Sequence, residues 1–131
     1  AGDAGNPKLS SILANVSYVN TSKAAKTITF SIRATDDFIG IAGQDNAKGF
    51  SLIILKHSTT YQQVFATIDP DSRVSGTPRN GLYKVTVTLP RYSAMGSWNI
   101  TVWLNDHLGN KTIYETTDLV RLGFISKIRN G

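Results

Sequence analysis

From residue 98 to residue 104 the chain alternates without interruption, with Trp98, Ile100, Val102 and Leu104 on one side and Asn99, Thr101 and Trp103 on the other. Successive side chains of an extended strand point to opposite faces, so a period of two marks a strand with one buried face. Pro90-Arg91-Tyr92-Ser93-Ala94-Met95-Gly96-Ser97 stands before this stretch and Asn105-Asp106-His107-Leu108-Gly109-Asn110 after it. Both flanks are rich in the residues that set turns. Corner, buried Trp, strand and turn in succession suit a β-sandwich, and helical periodicity is nearly absent from the chain.

The same period recurs elsewhere. Residues 27–35 put Ile28, Phe30, Ile32 and Ala34 on one face and threonine, serine and arginine on the other, and Tyr83, Val85, Val87 and Leu89 do the same against Lys84, Thr86 and Thr88. Residues 9–19 read as a kinked first strand pair. Residues 50–55 form a near-continuous apolar run, the pattern of a central strand. Residues 61–68 read as a weaker edge strand, residues 111–115 as a return across the 106–110 turn, and residues 124–128 as the last strand. The segments 36–48 and 69–81 read as long loops, and loops of such length are often functional. A short helical turn is predicted over 117–122, with threonine at its cap, Asp118 in its first turn and Gly123 as its stop. Seven or eight strands result, with no internal repeat.

The 131 residues, 40% of them hydrophobic, suffice for one domain with one core. No apolar run approaches the roughly 20 residues that cross a bilayer as a helix, so membrane insertion is not expected. The polar stretches at 1–6 and 129–131 suggest a module cut from a longer chain. With no cysteine there can be no disulfide, thiolate zinc site or thiol nucleophile, and the composition leans towards the outside of a cell. The net charge is +5, but the basic residues are scattered along the sequence. A nucleic-acid surface would need them in a strip with stacking aromatics, and no such strip is legible. An acidic polysaccharide or anionic envelope would find the charge attractive.

Several pieces together resemble a family of immunoglobulin-like modules of bacterial secreted and surface proteins. They are Asp3 to Pro7, Ala34-Thr35-Asp36-Asp37 with Gly40-Ile41, Gly81-Leu82-Tyr83, and Leu89-Pro90 with Tyr92-Ser93 and Gly96-Ser97-Trp98. Leu104-Asn105-Asp106 with Gly109-Asn110, and Asp118-Leu119 with Leu122-Gly123-Phe124, complete the set. The resemblance runs over nearly the whole chain in family order, although the uninterrupted 98–106 stretch lacks the extra residue such modules usually carry there. It implies an all-β immunoglobulin-like antiparallel sandwich serving as a stalk, spacer or adhesion module, or as an accessory domain beside a secreted enzyme, and it implies no catalytic residues.

In such a sandwich the incoming chain, the loop after the second strand and the 106–110 turn share one end. That would gather Asp3, Asp36, Asp37, Asp106 and Asn110, an oxygen-rich set suited to Ca²⁺ between successive modules. Asp and Asn also favour turns for the sake of their own backbone, and no local calcium-loop motif is present. On the outer face, Trp103 with Tyr114 and Tyr61 would form an aromatic platform for sugar rings, unless Trp103 packs under a neighbouring segment. Catalysis lacks an inventory: His57 and His107 carry no metal or nucleophile spacing, and no nucleophile elbow accompanies Asp106-His107. The Asn-x-Ser/Thr triplets at Asn15, Asn20, Asn99 and Asn110 are expected by chance in a Ser/Thr-rich β protein. The expected partners are neighbouring modules of the same chain, a polysaccharide or a surface protein. The alternative function is carbohydrate binding, and a third is protein recognition through the two long loops.

Overall fold

A computed structural model describes residues 7–35, 51–77, 79–105 and 111–131. Within them lie ten strands: β1 (Lys8–Ala14), β2 (Tyr18–Val19), β3 (Lys26–Thr35), β4 (Ser51–His57), β5 (Gln63–Ile68), β6 (Arg73–Thr77), β7 (Asn80–Leu89), β8 (Gly96–Asn105), β9 (Lys111–Tyr114) and β10 (Lys127–Asn130). One short helix, α1 (Thr116–Arg121), lies between β9 and β10. The strands form a four-stranded sheet in the order β1-β3-β7-β6 and a six-stranded sheet in the order β2-β10-β8-β4-β5, with β9 also on β8. All pairings among them are antiparallel except β2 with β10. Two such sheets facing each other in this order make the immunoglobulin type of all-β sandwich, extended by one strand beyond β4.

The core comes from the alternation. Ile28, Phe30, Ile32 and Ala34 of β3 face Trp98, Ile100, Val102 and Leu104 of β8 across the gap, all at 1% exposure or less. Trp98 Nε1 donates to Ala94 O at 2.9 Å, so its one polar atom is satisfied by the corner that precedes the strand. His57 meets the indole edge-on at 5.5 Å between ring centres.

The structure departs from what the sequence pattern suggests in several places, among them the last strand, which runs over Lys127–Asn130 rather than 124–128. Residues 69–81 are no plain loop: a 3-10 turn at Pro70–Ser72 leads into β6, which pairs with β7 as far as Thr77 and Asn80. β6 is an exposed edge strand with no alternation of burial, so backbone hydrogen bonds hold it and no side-chain period betrays it. The first segment does not stay in one sheet either, since β1 joins β3 and β2 crosses to β10. Splitting it and adding β6 raises the expected seven or eight strands to ten.

β8 shares one edge between two partners: β9 covers Val102 to Asn105 and β10 covers Gly96 to Asn99. The helix fills the interval. Thr116 Oγ1 donates to Ile100 O at 2.7 Å, which ties up that threonine, and Glu115 rather than a threonine stands at the cap. Glu115 N donates to Asp118 Oδ2 at 2.9 Å and Arg121 pairs with Asp118 Oδ1 at 3.0 Å. The helix stops at Gly123, where φ is +78°. Phe124 N reaches Leu119 O and Gly123 N reaches Val120 O, a complete Schellman closure.

Trp98→Ala is expected to cost about 3–5 kcal/mol of folding stability in urea titrations, whereas Leu13→Ala, at an exposed site, should change it by less than about 0.5 kcal/mol. The Arg121 hydrogen bond, then the Glu115 N–H, holds the Asp118 carboxyl below its ordinary value of 3.8. A carboxyl with a depressed folded-state pKa stabilises the fold above its unfolded pKa and loses that contribution as pH falls through the lower folded value. Asp118→Asn should therefore flatten the acid limb of stability below pH 3.8, measured by denaturant titrations across that range.

Candidate functional site

The two ends of the sandwich are built differently. At one end Lys8 pairs with Thr35, Asn105 pairs with Lys111, and Thr112 Oγ1 donates to Pro7 O at 2.7 Å. Ser51 Oγ and Asn105 bond reciprocally, at 3.3 Å to Asn105 O and 2.9 Å from Asn105 N. The described flanks of the three segments carrying the acidic residues thus come together. Asp3, Asp36, Asp37, Asp106 and Asn110 themselves lie outside the described residues, as do His107 and the 36–48 segment. Among the described residues no group of three or more His, Cys, Asp or Glu side chains is placed to hold a metal ion.

The opposite end is closed by a polar knot that no sequence pattern announced. Asn130, 1% exposed, donates through Nδ2 to Ser93 O and Ala94 O, each at 3.0 Å. Its Oδ1 accepts from Thr21 N at 3.1 Å. The last strand, the 20–22 segment and the corner before Trp98 are thereby locked together. His57 completes this end: Nε2 donates to Met95 O at 2.6 Å, and Nδ1 accepts from Thr60 N at 3.1 Å. Both ring nitrogens are committed to the backbone, which fixes the tautomer. Next to the knot a groove of about 430 Å³ runs between Thr21, Tyr92, Met95 and Gly131. Tyr92, at φ +69°, and Met95 are exposed beside it.

The expected aromatic platform is divided. Trp103 lies half-buried on the outer face of the six-stranded sheet, opposite Ile113 of β9 and Leu52 of β4. Tyr114 is paired with Val102, a core position, so it turns to the inner face, where its hydroxyl accepts from Leu9 N at 3.0 Å. Tyr61, 97% exposed, sits in the β4–β5 turn beyond His57, at the far end of β4 from Leu52 and hence from Trp103. A side chain one residue along a strand changes face, which is why Tyr114 and Trp103 cannot share a surface. What shares the outer face with Trp103 is Phe65, 61% exposed, carried on β5 opposite Ile54. Lys111 Nζ stands 5.2 Å above the Trp103 ring, a cation–π contact.

Comparison with protein-family models and with curated proteins gave no match.

Asn130→Leu takes the side-chain partner from Thr21 N and Ser93 O at once, while Ala94 O keeps its bond from the Trp98 indole. The expected loss is about 2–6 kcal/mol, since each of the two buried polar groups left unpaired costs about 1–3 kcal/mol. Urea unfolding measures it, and amide exchange should rise at Thr21 while the β3–β7 amides keep their protection.

Proposed function

We propose that the domain is a non-catalytic spacer or adhesion module on the outside of a bacterial cell, linked to neighbouring modules of the same chain. The single observation that carries this reading is the placement of Pro7 and Gly131 at opposite ends of the sandwich. Pro7 lies where Thr35 and Lys111 stand, and Gly131 lies where Gly96 begins β8. The ten residues of β3 run between those ends, about 30 Å of extended chain. A longer chain passing through the domain gains that length as a stiff segment.

The pairing of β2 with β10 supports resistance to tension. These two strands run parallel, joined by Arg129 N to Ser17 O at 2.9 Å and Gly131 N to Val19 O. Tension applied through Pro7 and Gly131 pulls them past each other, so their hydrogen bonds are strained together rather than one by one. The exposed Tyr92 and Met95 beside Gly131 offer the next module an apolar footing.

Single-molecule stretching of a tandem polyprotein tests this. Pulled through Pro7 and Gly131, the domain should resist with an unfolding force several-fold higher than when pulled between Tyr61 and Gly131, which lie at one end and let the strands peel. Equal forces in the two geometries, or a tandem chain that scattering shows to be collapsed rather than extended, would sink the proposal.

A further inference from the structure

None of the ten described strands contains an aspartate or a glutamate, while nine lysines and arginines lie in them. The four acidic residues among those described sit off the strands: Asp69 and Asp71 around the 3-10 turn, Glu115 and Asp118 at the helix start. Five of the nine lie in the four-stranded sheet, and the other four, scattered in the sequence, are brought by the pairing into a row on the outer face of the six-stranded sheet. Lys127 and Lys56 both stand opposite Asn99, one on each side of it. Two strand spacings separate them, about 10 Å. Arg129 lies opposite Ser97 near the start of β8, and Lys111 opposite Asn105 at its end. All four are exposed. The row follows β8 over eight residue steps, about 26 Å, with Trp103 and Phe65 on the same face.

We propose that this face binds a linear acidic polysaccharide laid along β8, its carboxylates or sulfates paired with Lys56, Lys111, Lys127 and Arg129 and its sugar rings seated against Trp103 and Phe65. Cations spread along a face that holds no carboxylate on its strands attract an extended polyanion rather than a single small anion, because each exposed pair is weak and only the sum is useful. A sugar ring offers apolar C–H faces to an aromatic side chain and hydroxyls to the Thr101 side chain between the cations. A single-stranded nucleic acid would need free-standing rings on which successive bases stack. Here Lys111 Nζ stands over the Trp103 ring, so a base has no charge partner that would clear this face, whereas a sugar carboxylate pairing with Lys111 draws the ammonium off the ring and opens the face to the sugar's C–H groups.

Tryptophan fluorescence reads the interaction, since Trp98 is buried and Trp103 is not. At low ionic strength the protein is titrated with polygalacturonate, uncharged dextran and oligothymidylate. Polygalacturonate should bind and change the emission, and Trp103→Phe should abolish that change. The triple substitution Lys56→Gln, Lys111→Gln and Lys127→Gln should weaken binding by about tenfold or more. The same charge removed from the other sheet, through Lys8→Gln, Lys26→Gln and Lys84→Gln, should weaken it less than about twofold. Equal weakening by both triple variants would reduce the effect to net charge and overturn the proposal. So would the absence of polygalacturonate binding, equally tight binding of dextran, or tighter binding of oligothymidylate. The stretching experiment is indifferent to these substitutions, so the two readings fail separately.

Discussion

Hydrogen bonding along both edges of β8, together with the burial of one of its faces, settles where the neighbouring elements go. The strand pairs with β4 from Leu52 to His57 on one edge and divides its other edge between β9 and β10. Its inner face supplies Trp98, Ile100, Val102 and Leu104 to the core, while its outer face presents Trp103 beside a row of cations. Since each strand residue faces either inwards or outwards, a one-residue slip would bury Asn99, Thr101 and Trp103 and expose four core side chains. Core packing therefore sets the register, and the register sets what the outer surface can be.

The division of that second edge has its own consequence. β9 leaves at the level of Val102, and β10 arrives at Asn99 only after a helix that is pinned to Ile100 by Thr116 and closed by Gly123. The detour delivers β10 to the end of the sandwich opposite Pro7, parallel to β2. Asn130 then binds the 20–22 segment and the 93–94 backbone in one satisfied network. Buried polar groups of this kind hold one arrangement because every alternative leaves some of them unpaired. The direction of the chain at Gly131 is thus held by a side chain rather than by the sheet alone.

Much of the architecture is legible in the residues alone. The alternation of 27–35, 82–89 and 98–104 corresponds to strands of the expected kind, as do the described part of the 50–55 run, which opens β4 at Ser51, and the weaker edge read at 61–68, which is strand from Gln63. The helix is legible because its signals are local: an acidic residue in the first turn and a glycine to stop it. β6 is not legible, because an exposed edge strand is held by backbone hydrogen bonds that any sequence can make. The Asn130 knot is hidden for a different reason. Its partners, Thr21 and the corner at 93–94, are distant in sequence, and a lone asparagine near a strand end carries no pattern.

Fold class, and the side of each strand that meets the core, are written in the amino-acid order, since both follow from a period of two acting within single strands. Which outward residues become neighbours is a property of the assembled sheets. Tyr114, expected beside Trp103, turns inwards because it stands opposite a core residue, and Tyr61 is carried to the far end of the sheet. Phe65 and the lysines at 56, 111 and 127, unremarkable along the chain, come onto one face through pairings between distant strands. Spacing along a strand can be counted in the sequence, whereas spacing across a sheet depends on which strands pair and in what register.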